Sequence, residues 1–207
     1  MLAALCKVSK TEPYSNSYYW GHDLDGAPDT LWGLEGYHHP VGFFLNHGSS
    51  DVFKEQMRRV DEDRLLRNTQ GLGSPDYDLY YYDIFDGFLT RKDDKDRDAQ
   101  DCFVAVVHLW ASQDRRKQLL GILANYADRV KATKTGPSNA VQSFAVLKEV
   151  NDFKMATIYI RYVQINQYFD LSHAERDTDN FLGVGHKTRG RSLKLPQSTR
   201  NSWRMLR

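Results

Sequence analysis

The stretch "CFVAVVHLWASQDRRKQLLGILANYADRVKAT" at 102–133, resumed after "TGPSN" by "AVQSFAVLKEVNDFKMATIYIRYV" at 140–163, decides the fold. Residues 102–111 are a β-branched and aromatic run of strand length. Apolar side chains then recur at Leu119, Leu120, Ile122, Leu123, Tyr126, Ala127 and Val130, the spacing of one helix face, with Ser112 as the expected N-cap. Gly136 and Pro137 end that helix. Two further strands follow, joined across Asn151-Asp152, a favourable turn pair. "INQYFDLSHAERD" at 165–177 is expected to be a second helix. The order strand, helix, strand, strand, helix is that of a split-βαβ unit.

The first half repeats this order without its opening strand. "MLAALCKVSKTE" reads as the end of a helix, closed by Pro13, Ser15 and Asn16. "SYYWGHDL" (17–24) and "TLWGLEGY" (30–37) read as strands across the turn "DGAPD". "HPVGFFLNHGSSDVFKEQMRRVDEDRLL" at 39–66 reads as the following helix, with Phe53, Met57 and Val60 on one face. Residues 79–85 offer a strand to close the unit. Both halves carry Leu-x-His-x-x-x-Asp, as Leu45, His47, Asp51 and as Leu171, His173, Asp177, the mark of a duplication. The expectation is an α+β protein of tandem ferredoxin-like (βαββαβ) units, their antiparallel sheets packed as an α+β barrel. Residues 1–90 form the first unit, 91–101 a charged linker, 102–185 the second unit and 186–207 a basic, flexible tail.

Composition narrows the function. With 41% hydrophobic and 13% aromatic residues in 207, the chain can bury a core and is not disordered throughout. No apolar run reaches the roughly 18 residues of a membrane span, and the N-terminal apolar patch is too short for a signal-peptide core. Cys6 and Cys102 make neither a disulfide framework nor a metal spacing, so the expected setting is reducing and cytoplasmic. Residues 186–207 hold 7 of the 28 basic side chains and no acid, so the rest of the chain is acidic and nucleic acid is not its expected partner.

"YYWGHDLDGAPDTLWGLEGYHHPVGFFLNHGSSDVFKEQMRRVD", supported by "GLGSPDYDLYYYD" and "FAVLKEVNDFKMATIYIRY", resembles the antibiotic-biosynthesis-monooxygenase family, in particular its two-module fungal members. The resemblance covers roughly 1–185. It implies a ferredoxin-like fold, a dimeric α+β barrel, and oxidation of quinols, polyketides or similar lipophiles without metal, flavin or nicotinamide. Other members and close relatives bind heme or have no known chemistry. Such modules begin with a strand, which implies that residue 1 falls inside a module.

Cofactorless oxygenation needs an electron-rich substrate that gives up a proton and passes an electron to O₂. The protein must supply a base, a dry pocket and donors for the developing oxyanion. His47 is the leading base, with Asp51 four residues on to orient it if the segment is helical. The alternative is an imidazole that only packs beside a solvated aspartate. Glu35, a carboxylate on an apolar strand, shares a face with Tyr37 and would titrate high if buried; an edge position facing water is as good a reading. Trp20, His22, Trp32, Tyr82, His108, Trp110, Tyr162 and His173 are candidates to line a substrate, although strand aromatics are more often core. His38, His39 and His47 give no metal spacing. The expected partners are a small lipophilic substrate, O₂ and a second copy of the chain, with no cofactor, nucleic acid or membrane. The rival readings are a non-redox carrier, isomerase or cyclase on the same scaffold, and a heme-binding relative.

Overall fold

A computed structural model of the chain describes residues 2–24, 27, 29–94, 102–112, 114–133, 140–162 and, for the backbone alone, 187–194. These residues group into two units, one holding the chain up to Trp20 and Trp32–Leu79, the other Gly21–Leu31 and the chain from Tyr80. The architecture is α+β with antiparallel sheets.

The first unit runs α1 (Leu2–Ser9), β1 (Ser15–Asp23, to Trp20 in this unit), β2 (Leu31–Tyr37), a π-helical turn (Gly42–His47) and α2 (Asp51–Glu62). The neighbouring strands β1 and β2 pack large against small. The Trp20 indole lies on Gly33, where an added Cβ would stand 2.7 Å from its ring carbons. Helix α2 packs against α1 and turns Gln56 and Val60 inward, while Arg58, Arg59, Glu55 and Glu62 pair along its outer face.

The single helix expected over 39–66 is two pieces. The Gly48 N–H donates to the Phe43 carbonyl at 2.8 Å, closing a wide turn, and the Ser50 hydroxyl caps α2 by accepting the Phe53 N–H at 3.2 Å. The chain therefore changes direction between His47 and Asp51.

The second unit holds β3 (Tyr82–Phe88), β4 (Phe103–Trp110), α3 (Arg116–Ala132), β5 (Val141–Glu149), β6 (Met155–Tyr162) and β7 (Lys187–Lys194). Its strand order is β7-β4-β6-β5-β3, each neighbour antiparallel, with Ala105 opposite Ile160 and His108 opposite Thr157. At the β7 end, His22 and Asp23 of β1 pair with Lys194 and Leu193. β3 and β7 do not pair with each other, so the described sheet is open where a closed barrel was expected. Asp114 adopts a left-handed conformation (φ 64°), and the chain makes one more turn after Ser112 before α3 begins. Ser112 is consequently not its N-cap.

Alternation along the strands separates two faces. Phe103, Ala105 and Leu109 of β4, with Phe144, Val146, Ala156 and Ile160, form an apolar core with Leu120, Leu123, Ala127 and Val130 of α3. Burying each such leucine contributes roughly 2 kcal/mol. His108 and Thr157 lie on the other face of the same sheet.

Two segments sit elsewhere than the sequence places them. β3, expected to close the first unit, pairs with β5 from Tyr82 opposite Glu149 to Phe88 opposite Phe144. The physical reason is that β5 is buried along nearly its whole length, and without β3 its backbone donors and acceptors would form an open edge. Lys187–Lys194, read as part of a basic tail, is the strand β7, paired with β4 from Lys187 opposite Trp110 to Lys194 opposite Phe103. The expected second helix, with Leu171, His173 and Asp177, lies outside the described residues.

Candidate active site

His47 ends the π-helical turn and is fully buried. Its carbonyl accepts from both the N–H and the hydroxyl of Ser50, at 3.1 and 2.8 Å, which fixes the backbone at the ring's root. The imidazole packs against Tyr18 and Phe53, each with ring centres 5.4 Å away, and against Tyr37 at 6.2 Å. Its Nδ1 lies 3.1 and 3.0 Å from the two carboxylate oxygens of Glu12. Its Nε2 is buried and has no hydrogen-bond partner among the described residues.

The carboxylate beside the His47 ring is thus Glu12 and not Asp51. Asp51 stands exposed at the first turn of α2, where its charge suits the helix N-terminus. The break between the π-helical turn and α2 removes the four-residue helical spacing that would have brought it to His47. Glu12 sits in the turn after α1, its N–H donating to the Ser9 carbonyl and its own carbonyl accepting from Ser15. Sequence reading missed it because a glutamate beside Pro13 in a turn looks solvated, and 35 positions separate it from His47.

Glu35 and Tyr37 do come together on β2, the Tyr37 hydroxyl donating to Glu35 Oε2 at 3.1 Å. Burial pushes the Glu35 carboxyl up from its ordinary value, and Glu12 adds to this. His47 and the hydroxyls of Tyr37 and Tyr18 pull it partly back. The same burial, with the negative charge of Glu35 nearby, raises Tyr18 and Tyr37. It also lifts the Cys6 thiol to about 11, so Cys6 is no thiolate nucleophile at neutral pH. Glu12, Glu35, His47, Tyr18 and Tyr37 form one electrostatically connected group in the first unit.

The other candidates scatter. Trp20 is half-buried against Tyr18 with ring centres 6.1 Å apart, Trp32 is half-buried, and His22 is exposed. In the second unit Tyr82, His108 and Trp110 are neighbours. His108 Nδ1 is 2.9 Å from the Thr157 hydroxyl and 3.4 Å from that of Tyr82, and Tyr80 packs on its ring at 5.1 Å. The Trp110 N–H donates to Asp152 at 2.9 Å. Tyr162 belongs to the core under α3, against Phe103. His173 lies outside the described residues. Among those residues no three His, Cys, Asp or Glu side chains are grouped so as to hold a metal ion, and no helix is long and apolar enough to cross a membrane.

No protein-family model and no curated protein sequence matches the chain. Solved structures do share its fold. A candidate monooxygenase of Fusobacterium nucleatum subsp. nucleatum superposes with a TM-score of 0.64 at 9% identity, over 99% of this chain and 89% of that one. One from Lactobacillus acidophilus gives 0.60 at 10% identity, over 93% and 84%. An anthrone oxidase-like protein gives 0.54 at 10% identity, over 93% and 82%. At these identities the likeness is one of fold.

Proposed function

We propose that the chain is a cofactor-independent monooxygenase of the antibiotic-biosynthesis-monooxygenase type, oxidising a small electron-rich lipophile with O₂. Quinols, anthrone-like polyketides and oxylipins are the substrate classes in view. The observation that carries the reading is the buried His47 imidazole, anchored through Nδ1 on Glu12 with Nε2 unpaired among the described residues. A buried polar atom without a partner costs roughly 1–3 kcal/mol, and a proton-accepting role for Nε2 accounts for keeping it. The likeness in fold to candidate monooxygenases supports the same reading.

In this scheme Nε2 takes a proton from an acidic C–H or O–H of the substrate. The resulting anion passes one electron to O₂, and the radical pair combines into a peroxide. For a CH₂ centre the peroxide takes up a proton and loses water, leaving a carbonyl. One oxygen atom stays in the product, and the other departs as water with the two substrate hydrogens. Glu35, whose protonated form burial favours, and Tyr37 supply donors to the developing oxyanion. A homodimer is part of the proposal and is read by sedimentation.

The test is oxygen uptake by metal-free protein with a panel of anthrones and quinols. The wild-type chain consumes one O₂ per substrate, and His47→Ala is slower by about a hundredfold or more, the usual contribution of a general base. No uptake by the wild type with any substrate overturns the oxygenase reading. Equal rates in His47→Ala overturn the choice of base.

A further inference from the structure

We infer that Glu12 is the positioning residue of this site: it sets the protonation pattern of His47, holding Nδ1 as the N–H and leaving Nε2 as the proton-accepting atom. The inference rests on the reading of His47 as base and adds to it a residue that no local sequence rule selects. Three observations carry it.

First, both carboxylate oxygens of Glu12 face the same ring nitrogen, at 3.1 and 3.0 Å, so a single N–H is shared between two acceptors. An ionised carboxylate has no proton to give, and Nδ1 must be the donor. Second, the carboxylate is itself held. The Glu12 backbone is tied on both sides, to Ser9 and to Ser15, and its side chain is nearly as buried as that of His47. Third, the ring has no freedom to choose another partner. Tyr18, Tyr37 and Phe53 pack around it, and Ser50 fixes its carbonyl. An imidazole confined in this way, with Nδ1–H given to a carboxylate, presents the lone pair of Nε2 in one direction. This is the task of the aspartate in a serine-protease triad, performed here by a glutamate from a turn.

Glu12→Gln is the informative change, because an amide can donate as well as accept. With its NH₂ turned to the ring, Nδ1 becomes the acceptor and the proton moves to Nε2, which can then no longer take one. Long-range ¹⁵N–¹H correlation spectra of the imidazoles read this directly. The seven histidines are separated by comparison with His47→Gln. The wild-type chain is expected to show protonated Nδ1 and unprotonated Nε2 at His47, Glu12→Gln the exchanged pattern, and Glu12→Asp the wild-type pattern. With a substrate found by oxygen uptake, Glu12→Gln is expected to lower kcat by about a hundredfold or more with KM nearly unchanged, and Glu12→Asp to recover part of the loss.

A wild-type pattern in Glu12→Gln, or a kcat within threefold of wild type, overturns the inference. If the wild type turns over no substrate, the oxygenase reading fails and the spectra decide the role of Glu12 alone. An exchanged pattern then sustains it and an unchanged one overturns it.

Discussion

Among the described residues two histidines are taken out of water, and their units give them different company. His47 meets the carboxylate of Glu12, whereas His108 meets the hydroxyl of Thr157, with that of Tyr82 at the outer limit of bonding distance. An ionised carboxylate only accepts, so it dictates which nitrogen carries the proton and balances the positive charge when the ring takes a second one. A hydroxyl donates or accepts, leaves the tautomer open and offers no countercharge. Burial by itself therefore does not prepare a base. What can prepare one is the chemistry of the group behind the ring, and at His47 that group is a carboxylate.

The largest test of that contrast is to remove the group. Glu12→Ala leaves a buried imidazole N–H without its acceptor, and losing a buried hydrogen bond to a charged group costs about 1.5–3 kcal/mol. Denaturant unfolding measures it; a loss under about 1 kcal/mol, the size of an exposed pair, would end the distinction between the two histidines.

Glu35→Gln sharpens it next. Burial raises the folded-state Glu35 above its ordinary value of 4.5. Above that value the unfolded chain has released its proton while the folded chain still holds one. Stability contributed by this group therefore falls as pH rises, by at most about 1.4 kcal/mol per pH unit, until the folded carboxyl has ionised as well. Glu35→Gln removes the slope, and an identical stability-versus-pH curve in the variant contradicts the account.

The smallest effect belongs to the second unit. Thr157→Val deletes a neutral hydrogen bond to His108, and the expected loss is about 1 kcal/mol. A loss as large as that of Glu12→Ala would show that a hydroxyl anchors its imidazole as strongly as a carboxylate does, and the comparison would fall.

The sequence of 102–162 carries its own structure because each segment has a clear period. The strand runs at 103–110, 141–149 and 155–162 alternate between the α3 side and the opposite side of one sheet, and Leu120, Leu123, Ala127 and Val130 recur on one helix face. His47 was legible as a candidate for a related reason, since it stands amid Phe43, Phe44 and Phe53 in a segment with an apolar face. Its partner was not. Asp51 follows from the rule that side chains four apart on a helix are neighbours, and that rule lapses where Gly48 closes a π turn and Ser50 starts a new helix.

What the sequence by itself determined is what local periodicity and turn chemistry can encode: the α+β class, the strand–helix–strand–strand order from β4 to β6, the aliphatic core beneath α3, and the Glu35–Tyr37 pair two apart on one strand. Tertiary structure alone decided the rest. Which open edge β3 covers depends on the backbone groups of β5, more than 50 positions away. That Lys187–Lys194 is a strand depends on the exposed edge of β4, since its own basic residues give no apolar pattern. And the carboxylate that meets His47 lies 35 positions upstream in an ordinary turn. Hydrogen bonds and charges act through space, and no spacing rule along the chain records which distant donor and acceptor the fold will bring within 3 Å of each other.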